Sequence, residues 1–290
     1  MSSHHLIPDI DDFNDKIDDV DRGVHDYIWI KRRTLFVSTC AGSAAVCAGL
    51  WGLELAYYGD LAQALGARIF WYPAAALFCP FLLYAHFRTQ MQHLFMRQLA
   101  QALNFDYAAT GSMESVEGKI FEFGTARTIE DVLSGAYQGL PIRIFNYAFT
   151  IQQGRSSHTE HYTVFTLAFD CDIADIALTP KSFLSASTLS RAPDGGVKIK
   201  LEGDFNEHFD LYAPHFFDVE IREIFQPDLM AELIDKYQSY RIETAGNALY
   251  VIGPPITNKA KFLAAHELTD KLFASMIPRL RAVAQTPAAV

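Results

Sequence analysis

Two long apolar runs constrain this chain more than any other feature of its sequence. Thr34–Tyr58 holds one charge, Glu54, in 25 residues, and Ile69–Phe87 holds none in 19. About 20 helical residues cross a ~30 Å hydrocarbon core, so both runs are long enough. A helix of a globular core ordinarily keeps a polar face over such a length. The runs therefore read as transmembrane helices over 34–58 and 69–87, with two buried core helices as the alternative. The connection Gly59–Arg68 is ten residues long and makes them an antiparallel hairpin. Lys31, Arg32 and Arg33 precede the first run and Arg88 and Arg97 follow the second. Basic residues stay on the cytoplasmic side, so both termini are expected inside, with the plasma membrane as location and the lipid bilayer as a partner.

Smaller features elaborate this expectation. Ala41, Ala45 and Gly49 make a small-residue face, and Pro80 is expected to kink the second run. Glu54 reads as a carboxylate reaching the outer interface, or as a functional group facing a shared interior. Ile10, Phe13, Ile17, Val20, Val24 and Tyr27 fall at helical spacing and give an acidic amphipathic helix within 1–33. Met91, Leu94, Phe95 and Leu99 continue the second run as a cytoplasmic helical extension over 88–104. The two stripes pack on each other, on the globular domain or on another subunit.

Charge and cysteine content remove several classes of function. The formal net charge is -10, and most of it lies in the first 30 residues, which carry eight Asp against Lys16 and Arg22. Basic residues elsewhere are dispersed, so no nucleic-acid partner is expected. Four cysteines, Cys40, Cys47, Cys79 and Cys171, are too scattered for a disulfide scaffold or a Cys-rich zinc site.

After residue 104 the periodicity shifts toward two. Strands are expected near 119–125, 129–137, 141–150, 161–169, 197–202, 208–212, 240–244 and 248–252. Gln138–Gly139 and Ala245–Asn247 are turn signals, and short turns between consecutive strands give an antiparallel sheet. Pro227 and Asp228 suit a helical first turn, and a last helix runs from about Asn258 to near Pro278. The fold class is thus α+β: a transmembrane two-helix hairpin, then a mainly antiparallel β-sheet domain over 105–280 with a C-terminal helix. A mobile tail is expected over 281–290.

The segments FNEHFDLYAP from Phe205, IFQPDLMAELI from Ile224 and NALYVI from Asn247, with the hairpin Ile129–Phe145, come in a recognisable order. They resemble a bacterial domain-of-unknown-function family whose members carry two adjacent transmembrane helices before a cytoplasmic α+β domain. The resemblance covers roughly 110–280 and implies the bacterial inner membrane as location. It brings no activity, cofactor or site residue.

Motifs for catalysis are absent: no phosphate loop, no dinucleotide fingerprint, no His-Glu-x-x-His and no Gly-x-Ser-x-Gly elbow. Two polar clusters remain. His158, Glu160 and His161 are candidate metal ligands, since imidazole and carboxylate can share a cation. Against this, 158 and 161 point to opposite faces of an extended segment, and a polar loop tip is the favoured reading. The cluster Asp204, Glu207, His208, Asp210, His215 and Asp218 offers an acid and a base, with His208, Asp210 and His215 as candidate ligand-binding residues. Its members are interleaved with Phe205, Phe209, Phe216 and Phe217, so a core of aromatics with polar residues turned to water is the alternative. No catalytic residue and no cofactor are assigned. The function expected from sequence is a membrane-anchored cytoplasmic binding or scaffold domain with a protein partner or a homo-oligomeric state. The alternatives are a membrane-tethered enzyme using Asp204–Asp218 and a subunit of an oligomeric transporter.

Overall fold

The computed structural model describes residues 92–154, 156–182 and 196–285, together with helical positions at 37–38, 41–43, 45–46, 48–49 and 53. The chain divides into two compact units, one of Asp15–Gln98 and one of Met1–Asn14 with Leu99–Val290.

The transmembrane hairpin is corrected by the structure. Among the described residues no helix is long and apolar enough to cross a membrane. An apolar run reports composition, whereas a span requires one continuous helix that satisfies its own backbone over about 20 residues. The described helical positions in Thr34–Tyr58 make no such helix, and Ile69–Phe87 lies outside the described residues. The inner-membrane location with both termini cytoplasmic, and the lipid bilayer as partner, fall with the hairpin. The acidic helix expected within 1–33, together with Glu54 and Pro80, also lies outside the described residues. In the first unit residues 92–98 are helical.

The second unit opens with the helical residues 99–103. Asn104 ends them at φ 56°, and the Phe105 amide reaches back to the Ala100 carbonyl at 2.8 Å. A left-handed residue closing the last helical turn satisfies carbonyls that would otherwise be orphaned.

A nine-stranded sheet follows. Its strands are β1 (Asp106–Thr110), β2 (Thr125–Tyr137), β3 (Leu140–Gln153), β4 (Ser156–Ala168), β5 (Ile176–Pro180), β6 (Gly196–Ile199), β7 (Phe209–Pro214), β8 (Arg241–Ala245) and β9 (Ala248–Gly253). The order across the sheet is β1-β2-β3-β4-β9-β8-β5-β7-β6, with every pairing antiparallel. The large antiparallel sheet and the C-terminal helix of the sequence reading are therefore present.

Turn chemistry sets the register. Gln138 (φ 51°) and Gly139 (φ 80°) are both left-handed and join Tyr137 to Leu140. Such a two-residue turn matches the strand twist. Gly246 (φ 58°) does the same work between Ala245 and Ala248.

Among the described residues after 200, four α-helices accompany the sheet: α1 (Phe205–His208), α2 (Asp218–Ile224), α3 (Pro227–Lys236) and α4 (Lys259–Gln285). Helix α4 lies on one face, where Tyr137 donates to Asp270 at 2.8 Å and its ring meets Phe273 at 5.5 Å. It does not stop at Pro278 but runs on to Gln285. A proline inside a helix costs roughly 3 kcal/mol, and here Ile277 and Leu280 on either side are buried. That apolar burial offsets the missing hydrogen bond.

The opposite face carries the aromatic core. Phe145, Tyr147 and Phe149 of β3 alternate onto it with Tyr162 and Val164 of β4 and Tyr250 and Ile252 of β9. The segment Met113–Phe123 lies over them as a strap. Lys119–Glu122, expected as the start of a strand, is a 3-10 turn. It buries two consecutive apolar residues, Ile120 and Phe121, which an alternating strand would send to opposite faces.

Burial pushes the phenols of Tyr137, Tyr147, Tyr162, Tyr237, Tyr240 and Tyr250 above their ordinary pKa. Unfolded tyrosines ionise near pH 10, while the folded protein holds these protons longer. The native state then binds more protons, so stability falls as pH rises past about 10. Circular dichroism and tyrosinate absorbance followed together through an alkaline titration should show six of the thirteen tyrosines ionising only as the fold is lost. More than seven tyrosines ionising while the fold persists would contradict this.

Candidate functional site

The strap is held by side chains of the sheet, which satisfy its backbone groups. The Glu117 amide donates to Tyr250 Oη at 2.9 Å, and Tyr147 Oη donates to the Ile120 carbonyl at 3.3 Å. Arg127 donates to the Phe121 carbonyl at 2.6 Å, and Arg143 to the Ser115 carbonyl at 3.2 Å and its hydroxyl at 3.1 Å. The Phe121 ring meets Tyr147 and Tyr250 edge-on at 5.0 and 5.2 Å.

Where the strap passes the ends of β5 and β8, a cleft of about 510 Å³ opens. Met113, Val116 and Phe121 form its strap side, and Ile176, Ala177 and Ala245 face them from the strands. That volume lies within the range of small-ligand sites, about 300–1,000 Å³.

Glu243 lines the cleft and is one half of a buried ion pair. Arg241 and Glu243 stand two apart on β8 and so share a face. Arg241 is wholly buried and Glu243 is 2% exposed. Arg241 Nε donates to Glu243 Oε1 at 2.6 Å, a second nitrogen of the same guanidinium approaches that oxygen, and a third donates to Thr179 Oγ1 at 2.6 Å. Glu243 Oε2 accepts from the Ile120 amide at 3.4 Å and so ties the pair to the strap. Taking both charges out of water costs several kcal/mol per ion, recovered only with good geometry and further hydrogen bonds. Thr179 and the Ile120 amide supply those.

Polar character continues along the same face. Thr179 is the cross-strand partner of Asp210, whose carboxylate meets Lys198 Nζ at 2.6 Å. The hydrogen bond to Asp210 pushes the Lys198 ammonium pKa up. On the helix face runs a second buried network. Tyr107 Oη donates to Asp131 at 2.8 Å and Asn146 to its other oxygen at 2.9 Å. Thr163 donates to Asn146 at 2.9 Å and accepts from the Ile256 amide at 3.0 Å. This circuit ties β1, β2, β3 and β4 together through polar side chains.

The structure separates the residues that sequence density had grouped. His158 and Glu160 share a face of β4, with Nε2 and Oε1 3.1 Å apart, while alternation sends His161 to the other face. Among the described residues no group of three or more His, Cys, Asp or Glu is placed to hold a metal ion. His208 ends α1 and is half-buried, Asp210 is buried on β7, and His215 is exposed in a 3-10 turn. Asp218 pairs with Arg222 four residues on, with separations of 3.3 and 3.4 Å. Among the described residues no hydrogen bond or ion pair joins the side chain of His208 or His215 to a carboxylate. Phe205 and Phe209 stack at 5.0 Å and are buried.

The cleft residues were missed from sequence. The available signal was Arg and Glu two apart in an expected strand, which puts opposite charges on one face.

No family model matches the chain, and no curated protein matches it. The resemblance to a bacterial two-span family is thereby corrected: its motifs are Phe, Pro and Leu, which any well-packed sheet and helix can share. A solved structure similar to this chain is the crystal structure of the mycobacterial trehalose monomycolate transport factor A. It is 13% identical, with a TM-score of 0.48, over 65% of this chain and 96% of that one. A likeness of that degree carries no argument about function.

Proposed function

We propose that the sheet unit is a binding module that takes a small ligand, or a single side chain of a larger one, into the cleft beneath the strap. The observation that carries this reading is a cleft of about 510 Å³ with an apolar wall, carboxylates at its border and, among them, Glu243 already paired with the buried Arg241. Polar groups set beside an apolar wall are what a ligand site needs to fix orientation. Binding is favoured over turnover because Arg241, Glu243 and Thr179 are already engaged with one another. Membrane anchoring has no part in this reading.

Ala245→Phe tests it. Ala245 lines the cleft and is half-buried, so a ring can grow into the open space. Saturation-transfer NMR of the full chain against a small-molecule library should show ligands that the variant loses, with circular dichroism unchanged. Ligands that bind wild type and variant alike would place the site elsewhere.

A further inference from the structure

Resting on the cleft being a ligand site, the charges around it name the class of ligand. We propose that it binds an organic ammonium group on a short apolar stem, as a small free amine or a lysine side chain carries.

Five carboxylates line the cleft, those of Glu114, Glu117, Glu122, Asp175 and Glu243, against two cations, Lys119 and Arg127. Both cations are turned to the chain itself. Lys119 Nζ is 3.1 Å from each oxygen of Glu122, and Arg127 donates to the Phe121 carbonyl. Glu122 is thereby paired with Lys119 and Glu243 with Arg241, which leaves the carboxylates of Glu114, Glu117 and Asp175 against the charge of Arg127. An excess of one sign in a concave site favours a ligand of the opposite charge.

Burial sharpens the assignment. Glu243 is 2% exposed yet lines the cleft. Its Oε1 is occupied by Arg241, while Oε2 has a single long contact of 3.4 Å from the Ile120 amide. An ionised carboxylate offers about four acceptor sites, so Oε2 retains capacity toward the cleft. Two glycines keep space beside the acidic oxygens. A Cβ at Gly118 would come within 2.8 Å of Glu243 Oε2, and one at Gly246 within 2.4 Å of Glu117 Oε2. Both have positive φ, 115° and 58°, which suits glycine. Met113, Val116 and Phe121 supply an apolar wall for a methylene stem. The carboxylates form no metal-holding group among the described residues, which leaves a directional N–H donor as the matching cation.

The test is isothermal titration of the full chain with four probes: cadaverine, N-acetyl-lysine methylamide, hexanol and hexanoate. The expected result is one site for either amine and none for hexanoate. Glu117→Gln and Asp175→Asn, both at exposed positions, should each weaken amine binding by about tenfold, the loss of one charge-assisted hydrogen bond. Tighter binding of the lysine derivative would assign the site to a side chain, and tighter binding of cadaverine to a free amine; either supports the proposal. Hexanol or hexanoate binding at least as well, and lost in Ala245→Phe, would overturn the ammonium class and leave the cleft as a ligand site. Amine binding indifferent to Glu117→Gln, Asp175→Asn and Ala245→Phe would overturn both. Silence from all four probes would overturn the ammonium assignment, leaving the library screen to decide the cleft.

Discussion

Replacing Glu243 with Ala is expected to cost about 3–5 kcal/mol of stability, the usual penalty for leaving a buried charge without its partner. Arg241 has no access to water, and Thr179 is the neutral group at its far end. Without Glu243 the guanidinium keeps its desolvation cost and loses the carboxylate that accepts two of its N–H groups. Urea unfolding followed by tryptophan-independent circular dichroism measures the change in midpoint. The double replacement Arg241→Met with Glu243→Leu separates pair from charge: it should cost far less than Glu243→Ala alone, because no charge is stranded. A double variant as unstable as the single one would show that the pair contributes net stability rather than mutual neutralisation.

The second large effect belongs to Phe121. Its truncation to Ala should cost about 3–5 kcal/mol, as for other buried aromatic side chains. The ring fills space between Phe145, Tyr147 and Tyr250, and it anchors the strap to the sheet. Hydrogen exchange adds a distinct readout. The amides of Glu117 and Ile120, which bond to Tyr250 and Glu243, should lose protection well beyond the global change. Uniform loss across strap and sheet would mean that the strap opens only when the whole unit unfolds. The Glu243 and Phe121 replacements touch one assembly, so their costs should not add.

Much of the sheet was legible because its turns are local chemistry. Gln138–Gly139 and Gly246–Asn247 mark tight turns between β-rich runs, so β2, β3, β8 and β9 could be placed from sequence. Strand β5 is as fully buried as β9, but it pairs with β7 and β8 and no tight hairpin turn marks either of its ends. Strand β1 escaped for another reason: Asp106–Thr110 is almost wholly exposed at the sheet edge and carries no apolar period. The apolar run at 34–58 misled because hydropathy reports composition, and among the described residues no helix is long and apolar enough to cross a membrane. The cleft was hidden for a further reason. Dense stretches of His and acid, at 158–161 and 204–218, drew attention, whereas the ion pair that includes Glu243 joins Thr179 to residues of β8 sixty-two positions on. Only strand pairing brings them together.

The sheet order has a consequence for how the chain reaches its native state. Strands β2, β3 and β4 form a continuous meander, and β8 and β9 a hairpin, so both can assemble from neighbours in sequence. The β4–β9 seam instead pairs Thr163 with Gly253 and Ala168 with Ala248. Closing that separation costs chain entropy before any contact repays it. Collapse of the two pieces onto one another is therefore the slow step, and substitutions along Val164–Leu167 or within the meander turns, whose contacts are made by the time the seam closes, should retard refolding more than they accelerate unfolding.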